Sequence, residues 1–512
     1  MGQSRGVVCS PHRLATEAGA QVLREGGNAV DACVALNAVL QVVYPNMCHL
    51  GGDGFWMVWR AEEQRLLGLN GSGRSAAAAS ADALRREGYS EMPQSGPYTI
   101  TVPGCVDAWV EVLQRCGTWD LGRCLQAAER LARDGFEISE HAAGWMRAFN
   151  AGGLADDGWH ALFAPGGAPP AAGERLVQPQ LAETYRRLAA GGRDEFYRGA
   201  LADRLAARVQ ELGGWITAAD LAAHHSDWVE PVHAPYRGVD VVEMPPNSQG
   251  TTAQLALQLV ESEPAADAVE ALDLRLRASA LAYAERDLRL ADPARMDDPP
   301  DVLARPETVA RLRSRLREPV GAVRPDGDTC YFCAVDAEGN CCSAIQSLYR
   351  GFVAGCDPET GVLFQSRGAF FSLEPGHRNE LAPGVRTLHT LMPAMAFREG
   401  SPWLVFGTMG GNAQAQIHVQ LLTRAVDEGL APAEAVAAPR WILGPSVLTD
   451  QAQGVSLEPG LSGMVEPLRS RGWDAHVLDD QHAYGHSHMI RLDGDGPIGA
   501  ADPRADSLAL SV

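Results

Sequence analysis

One threonine in the second half of the chain could supply both a nucleophile and its base. Thr329 follows the polar, turn-forming stretch 324–327 and opens an apolar run. If the Asp328–Thr329 bond were cut, the new N-terminal residue would carry a hydroxyl and an α-amino group together. An α-amino group titrates near pH 8, so part of it is neutral near pH 7 and can accept the hydroxyl proton. A self-cleaving nucleophile is therefore chemically possible here; the alternative, which the residues alone favour, is a threonine that merely opens a strand.

A Gly-Gly pair provides candidate donors for the same chemistry. Gly410 and Gly411 follow a predicted strand at 403–407 and precede a predicted helix. Glycines let backbone N–H groups approach a substrate closely, and a helix N-terminus favours negative charge. An enzyme that transfers an acyl group needs such donors for its tetrahedral oxyanion. The pair is therefore a candidate oxyanion site, with an ordinary helix-capping turn as the alternative.

The elements that would position these residues change in type along the chain. From Thr329 the apolar period is two, which predicts a strand at 329–335, a turn at 336–340 and a returning strand at 341–348. Phe55–Trp59 is predicted as a buried strand, and the Gly/Ala/Pro stretch at 164–173 as a surface loop. Helical spacing dominates in four other regions: 11–43, 104–146, 176–224 and 253–318. Strands flanked by helices indicate a layered α/β protein.

Composition limits the classes of partner. The chain has 512 residues and a formal net charge of −21, which argues against nucleic acid or an anionic membrane as a main partner. No apolar run is long enough to predict a membrane span. The chain starts without an apolar leader stretch, from which we expect a cytoplasmic protein.

The cysteines and histidines raise the question of a metal. The eleven cysteines are expected to be free thiols. Cys330 and Cys333 form a C-x-x-C, but they should point to opposite faces of a strand, and no second ligand pair follows. His482, His486 and His488 are expected to be a surface or packing feature. We predict no metal and no cofactor. Cys330, directly after the candidate nucleophile, has no evident role.

Several short blocks occur in an order that resembles the γ-glutamyltransferase (gamma-glutamyltranspeptidase) family of N-terminal-nucleophile hydrolases. The resemblance covers essentially the whole chain. The blocks are Gly26–Ala32, His49–Phe55, Asn70–Arg74, Pro245–Gly250, the Thr329 segment, Met409–Asn412 and Ala437–Trp441. Two acidic and basic groups, Glu285–Asp287 and Asp502–Arg504, are interpreted as ion-pair scaffolding.

The resemblance implies a fold and a processing event. It implies a four-layer αββα sandwich whose precursor cuts itself into residues 1–328 and 329–512, which stay together. It also implies that Ser347, in the place of a family threonine, hydrogen-bonds the nucleophile, and that Gly410 and Gly411 form the oxyanion hole. Arg74 matches the family arginine that binds the α-carboxylate of a glutamyl group. A homo-oligomer of the processed pair remains open.

The chain departs from the family pattern in the part of the site that holds the amino acid. Arg367 stands where the transferases have a glutamine, and Phe370 where they have the aspartate that pairs with the α-amino group. His389-Thr390 replaces a Ser-Ser pair that also holds the carboxylate, and Tyr349 replaces the acceptor-side asparagine. A phenylalanine cannot neutralise an ammonium by ion pairing. The catalytic elements are thus retained while the amino-acid site is rebuilt.

These differences predict a pocket for an anionic acyl group without a free amine. The acylase-like and oxamate-amidohydrolase-like branches of the family share a similar Arg-Gly and His-Thr pattern, and an unusual bond in an antibiotic pathway is a further variant. A γ-glutamyl substrate such as glutathione remains an alternative if another carboxylate, for example Asp53, receives the amine. An uncut precursor that serves as a binding or scaffold protein is the alternative outside enzymology. The leading prediction is a self-processing threonine amidohydrolase or acyltransferase that acts on a small-molecule amide.

Overall fold

The computed structural model describes residues 6–318, 328–444, 454–494 and 496–512. The α-helices within these ranges are α1 Arg13–Arg24, α2 Ala29–Val43, α3 Ala81–Arg86, α4 Cys105–Cys116, α5 Leu121–Asp134, α6 Glu140–Ala151, α7 Asp157–Phe163, α8 Pro179–Tyr197, α9 Ala200–Glu211, α10 Ala218–Ala223, α11 Gly250–Val260, α12 Ala268–Arg289, α13 Pro306–Arg313, α14 Gln414–Val426, α15 Pro432–Ala437 and α16 Val465–Arg469.

The strands in the same ranges are β1 Val7–Ser10, β2 Asp53–Arg60, β3 Arg65–Gly71, β4 Phe136–Glu137, β5 Arg175–Leu176, β6 Asp227–Val229, β7 Val232–Tyr236, β8 Val239–Glu243, β9 Asp328–Val335, β10 Cys341–Tyr349, β11 Cys356–Asp357, β12 Val362–Leu363, β13 Ala394–Arg398, β14 Ser401–Thr408, β15 Trp441–Leu443, β16 Val455–Leu457, β17 Ala475–Val477, β18 Ser487–Asp493, β19 Gly496–Ala501 and β20 Leu508–Ser511.

Two large antiparallel sheets form the centre of the molecule. The first has the order β20-β1-β9-β10-β2-β3-β6, and the second has the order β19-β18-β14-β13-β8-β7. β9 and β10 form a hairpin in which Cys341 lies opposite Val335 and Gln346 lies opposite Cys330. The register shifts between Gln346 and Tyr349, which is the end of the hairpin where Thr329 lies. Bulges of this kind re-aim side chains near functional sites.

The side chains of β9 show how the layers stack. Tyr331, Cys333 and Val335 belong to a hydrophobic core between the two sheets. Cys330 and Phe332 point the other way, into a core shared with the helices on the outside of the first sheet. A third core joins the second sheet to α11, α12 and α14. The order of layers is therefore helix, sheet, sheet, helix, which confirms the αββα sandwich.

Local sequence signals explain the helices next to the site. α2 begins at Asn28, whose side chain accepts from the backbone N–H of Asp31 while Asp31 accepts from that of Asn28, a capping box. Every side chain of α2 is buried, because the helix lies under the first sheet with other helices around it. α14 starts three residues after Gly411 and is also almost entirely buried. Among the residues described, no helix combines the length and apolar character of a membrane span.

The predicted elements agree with the structure in type. The helical regions are largely helical, although the two-residue strand β4 interrupts 104–146 and β5 overlaps the start of 176–224. The hairpin at 329–348 has its turn at 336–340. Residues 164–173 contain neither helix nor strand. The ion-pair interpretation is also confirmed: Asp502 pairs with Arg440 at 2.6 Å, and Glu285 pairs with Arg289 at 2.5 Å.

Candidate active site

Three neighbouring strands bring Thr329, Ser347 and Asp53 to the same end of the first sheet. Ser347 on β10 lies opposite Asp53 on β2. Ile345, two residues before Ser347, and Phe55, two residues after Asp53, face the core between the sheets. Tyr331 on β9 faces the same core. Side chains alternate along a strand, so Ser347, Asp53 and Thr329 continue that inward face. All three are buried, and the Ser347 Oγ accepts a hydrogen bond from the backbone N–H of Tyr349 at 2.7 Å.

A glycine lets the oxyanion candidate approach the nucleophile from the other sheet. A side chain at Gly407, on β14, would overlap the ring of Tyr331 on β9. The two strands therefore come close only because Gly407 has no side chain. Thr329 lies two residues before Tyr331, and the Gly410-Gly411 turn begins three residues after Gly407. The two sheets thus place the turn beside the candidate nucleophile.

The turn itself has a conformation that favours glycine. Gly410 and Gly411 have φ angles of 133° and 50°. The Met409 carbonyl accepts from the Thr408 hydroxyl at 2.7 Å, and the Gly410 carbonyl accepts from the Ala413 N–H at 2.8 Å. Since a peptide group is planar, fixing each carbonyl also fixes the N–H of the next residue. The N–H groups of Gly410 and Gly411 are thereby oriented by the hydrogen bonds that the carbonyls of the same peptide groups accept.

Gln249 connects this turn to the His389-Thr390 segment. Its Nε2 donates to the carbonyls of Gly411, at 3.1 Å, and Thr390, at 3.0 Å. Its Oε1 accepts from Nη1 of Arg286 at 2.6 Å, and the same nitrogen donates to Oδ1 of Asn412 at 2.8 Å. Gln249 and Arg286 are both fully buried. Arg286, predicted as scaffolding, therefore supports the Gly410-Gly411 turn in addition to pairing with Asp287 at 2.7 Å.

Asp53 is occupied by the protein itself. Its Oδ1 accepts from the Gly73 N–H and from Nε2 of Gln365, each at 2.9 Å. Its Oδ2 lies 3.1 Å from Nε2 of His389. Because Nδ1 of His389 accepts from the Leu391 N–H at 3.2 Å, the proton of the neutral ring is on Nε2, which donates to Asp53. Burial, together with the charge of Arg367, lowers the pKa of His389 to about 3, so the ring is neutral at pH 7.

Arg367 is a buried cation without a hydrogen-bonding partner among the described residues. It is 1% exposed, and none of its three guanidinium nitrogens makes a hydrogen bond within the described chain. Its Cζ lies 4.4 Å from the centre of the Tyr349 ring and 5.9 Å from that of Phe370. Burial lowers the pKa of Arg367 to about 10, which leaves it charged at neutral pH. A buried charge of this kind is costly unless an anion pairs with it.

Further residues surround the same region. The Oγ1 of Thr390 is buried and, within the described ranges, makes no hydrogen bond. Tyr349 has a positive φ of 71°, uncommon for a residue with a side chain, and its ring meets that of Phe370 edge-on at 5.7 Å. Both rings line a cavity of about 620 Å³ that also includes Arg350, Asn379 and Leu388. Neither Thr329 nor Arg367 lines this cavity, so the aromatic pair separates it from the buried guanidinium.

The structure does not bring the Arg74 guanidinium together with Arg367. Arg74 pairs with Asp227 at 3.1 Å, and the side chain is 27% exposed. Arg386 pairs with the same carboxylate and donates to the Ser72 carbonyl at 2.8 Å. The neighbouring residue Gly73 contacts the site through its backbone N–H, which donates to Asp53. The carboxylate-binding role of Arg74 stays a prediction without support from this geometry.

The sequence does not predict one of the contacts to the candidate nucleophile. Nε2 of Gln414, the first residue of α14, donates to Oγ1 of Thr329 at 3.4 Å. The available signal is a glutamine three residues after Gly411, but a glutamine at a helix start is too common to single out. The links through Asp53 and Gln249 escape for another reason, since each joins residues far apart in the chain.

The cysteines and the C-terminal histidines are packing residues. All eleven cysteines are buried free thiols, which confirms the prediction. Cys330 faces the helices, away from the candidate nucleophile, and its contact with Cys48 adds to burial in raising the Cys48 pKa. His486 and His488 are buried, and the ring of His482 lies 4.2 Å from that of His141. Within the described ranges, no group of three or more His, Cys, Asp or Glu side chains is arranged to hold a metal.

Comparisons with known proteins agree over the whole chain. Residues 15–512 match the family model described as gamma-glutamyltranspeptidase. The chain is 38% identical to the glutathione hydrolase-like YwrD proenzyme of Bacillus subtilis (strain 168), over 99% of this chain and 98% of that protein. It is 35% identical to the oxamate amidohydrolase proenzyme of Klebsiella pneumoniae, with the same coverage of both chains.

The solved structures give the same result for the fold. The crystal structure of a cephalosporin acylase from Bacillus halodurans superimposes with a TM-score of 0.93 at 34% identity, covering 100% of this chain and 96% of that one. The match includes both sheets and both helical layers. The chain therefore belongs to the gamma-glutamyltranspeptidase family and is an N-terminal-nucleophile hydrolase.

Proposed function

We propose that the protein is a self-processing threonine amidohydrolase whose substrate is an amide of an anionic acyl group without a free α-amine. The observation that carries the proposal is Arg367, a fully buried guanidinium that lacks a hydrogen-bond partner among the described residues. A substrate carboxylate could accept two parallel hydrogen bonds from it. The buried Thr390 hydroxyl, which follows His389, is a second donor for the same carboxylate.

Processing comes first. Oγ1 of Thr329 bonds to the carbonyl carbon of Asp328, an intramolecular reaction that proximity favours. The C–N bond between the two residues breaks, and the hydroxyl proton passes to the nitrogen, which becomes the α-amine of Thr329. Hydrolysis of the resulting ester gives two fragments, residues 1–328 and 329–512. Supporting this step, the relatives from Bacillus subtilis and Klebsiella pneumoniae are both named proenzymes.

Each turnover then has two halves. The neutral α-amine of Thr329 takes the Oγ1 proton as Oγ1 bonds to the amide carbon, and the carbonyl oxygen becomes an oxyanion held by the N–H groups of Gly410 and Gly411. The proton passes to the leaving nitrogen, the C–N bond breaks, and an acyl ester remains on Oγ1. The amine next takes a proton from water, the hydroxide oxygen bonds to the ester carbon, and the proton returns to Oγ1 as the ester bond breaks.

The residues at the positions where an α-amine could bind restrict the acyl groups that the site could accept. Phe370 offers no charge, and both oxygens of Asp53 are bonded to Gly73, Gln365 and His389. An ammonium beside the charged Arg367 would be repelled. The oxamate amidohydrolase and the cephalosporin acylase among the relatives are consistent with this choice over a γ-glutamyl group.

A matched pair of substrates tests the proposal. Glutaryl p-nitroanilide and γ-glutamyl p-nitroanilide differ only in the α-amino group. We expect kcat/KM to be about 100-fold higher for the glutaryl compound, which corresponds to about 2.7 kcal/mol of discrimination. Faster turnover of the γ-glutamyl compound would contradict the proposed acyl specificity and would favour a glutathione-type substrate. Failure to hydrolyse either compound, in a chain that does not process itself, would favour the scaffold alternative.

A further inference from the structure

Gln414 contacts Oγ1 of Thr329 through one polar atom, and its other polar atom has no hydrogen-bond partner among the described residues. Its Nε2 donates to Oγ1 of Thr329 at 3.4 Å. Its Oε1 is buried and accepts no hydrogen bond within the described residues. The residue is fully buried and begins α14, three residues after Gly411. An unsatisfied buried amide oxygen costs free energy, and this one belongs to the same amide group that contacts Thr329.

Chain cleavage supplies the missing partner. In the uncut chain the nitrogen of Thr329 is a backbone amide, whereas cleavage turns it into an amino group with additional N–H bonds. That amino group and Oγ1 belong to the same residue, and the two polar atoms of the Gln414 amide are likewise adjacent to each other. One side-chain amide can therefore serve both atoms of the nucleophile, donating to Oγ1 and accepting from the amine.

We propose, on the basis of the proposed function, that Gln414 is a further catalytic residue, which donates to Oγ1 of Thr329 and accepts from its α-amine. In acylation, the Nε2–H bond holds Thr329 in one rotamer with its lone pair directed at the substrate. In deacylation Oγ1 is the leaving atom, and the same N–H stabilises the negative charge that develops as the Oγ1–C bond breaks and the proton returns from the ammonium. The Oε1 acceptor stabilises that ammonium.

The two roles predict different kinetic effects. Without the Nε2 donor, departure of Oγ1 slows more than attack by Oγ1 does. Deacylation then limits turnover, and the acyl-enzyme accumulates as a burst of released aniline. Without the Oε1 acceptor, the ammonium is less stable and its pKa falls. A carboxylate at the same place would raise the pKa of the amine instead.

The test uses Gln414→Leu, Gln414→Glu and a matched control, Gln420→Leu. Gln420 is also a buried glutamine of α14, but its Nε2 donates to the Trp441 carbonyl at 2.9 Å, away from Thr329. Processed enzymes are assayed with the anilide that wild type prefers, as a pH profile and as a pre-steady-state burst. Melting temperatures report any loss of stability.

We expect Gln414→Leu to lower kcat about tenfold, to show a burst that wild type lacks, and to move the acid limb of kcat/KM to lower pH. We expect Gln414→Glu to move that limb about one unit to higher pH, because the active amine is neutral and the new carboxylate favours its protonated form. Gln420→Leu should keep the wild-type acid limb and, like wild type, show no burst.

The inference is overturned if both Gln414 variants keep the wild-type acid limb of kcat/KM and, like wild type, show no burst, or if Gln420→Leu reproduces the effects of the Gln414 variants. These outcomes are distinct from failure of the proposed function. If the proposed function fails, wild type itself remains one chain or hydrolyses no anilide, and Thr329 and Gln414 both lose their proposed roles.

Discussion

His389 donates a hydrogen bond from Nε2 to Oδ2 of Asp53 across 3.1 Å, and both side chains are fully buried. This bond joins the strand that carries Asp53 to the segment that replaces the family's Ser-Ser pair. The protein thereby occupies both oxygens of the carboxylate, since Gly73 and Gln365 donate to the other one. In the proposed function, Arg367 is the cation that receives the carboxylate of the substrate.

Phe370→Asp should give the enzyme a binding partner for an amine. Phe370 is half-buried, and its ring lies against Tyr349 and near Arg367. A carboxylate there would pair with the α-ammonium of a γ-glutamyl group and with Arg367. We expect the preference for glutaryl over γ-glutamyl p-nitroanilide to fall at least tenfold, measured as the ratio of kcat/KM values. A ratio unchanged from wild type would show that Phe370 does not face the acyl group.

Arg367→Met should separate activity from stability. Removing a buried charge that lacks a protein partner should raise the free energy of unfolding by about 1–3 kcal/mol, while KM for the glutaryl anilide rises steeply. Arg398→Met is the control, because Arg398 also stacks on an aromatic ring, that of Trp403, but is exposed. It should leave both quantities nearly unchanged. Lower stability of Arg367→Met would mean that Arg367 is held by the protein and not reserved for a ligand.

Gln249→Leu tests the link between the His389-Thr390 segment and the Gly410-Gly411 turn. The change leaves the carbonyls of Gly411 and Thr390 without their donor, so the turn loses its fixed orientation. We expect kcat to fall about tenfold or more. Gln254→Leu is the matched control on α11: Gln254 is equally buried and donates to the Val241 carbonyl at 2.9 Å, away from the turn. Equal losses of kcat in the two variants would argue against a specific role for Gln249.

Asp502 provides a test of stability against pH. Burial alone would raise the pKa of Asp502, but Arg440 and Arg504 outweigh it and hold that pKa well below the usual range. Because the folded pKa lies below the unfolded value near 3.9, the stabilisation is complete above pH 4 and is lost as pH falls further. Asp502→Asn should cost about 3–5 kcal/mol at pH 7, measured by denaturant unfolding, since it leaves Arg440 buried without its ion pair.

The same variant should flatten the loss of stability below pH 4. Asp493→Asn is the control, because Asp493 forms a partly exposed ion pair with Arg491 at 2.6 Å. It should change the free energy of unfolding by less than about 1 kcal/mol. An Asp502→Asn protein as stable as this control would show that the Arg440 pair contributes little.

The elements of this protein are largely predictable from local patterns, because helical and strand periods are set by neighbouring residues. The hairpin at 329–348 is an example. The pairings that build the site are not local. Asp53 with His389, and Gln249 with Gly411, join segments that meet only after both sheets have formed. Arg74 shows the limit of a motif: the arginine occupies the expected place in sequence, but its side chain pairs with Asp227.

The replaced residues were the more informative part of the sequence. The change from aspartate to Phe370 and from glutamine to Arg367 predicts a site for an anion, and the structure shows that Arg367 is buried with free donors within the described chain. Gln414 illustrates the opposite case, since nothing in its sequence context distinguishes it from other glutamines of α14.

The central claim is that Thr329 cuts the chain before itself and then serves as the nucleophile. The most direct measurement is the intact mass of the purified protein under denaturing conditions, beside Thr329→Ala and Thr329→Ser. We predict two fragments, residues 1–328 and 329–512, for wild type, the same fragments formed more slowly or not to completion for Thr329→Ser, and one whole, inactive chain for Thr329→Ala. A wild-type chain that stays whole yet hydrolyses the anilide, or a Thr329→Ala chain that is cut at the same bond, would contradict the account.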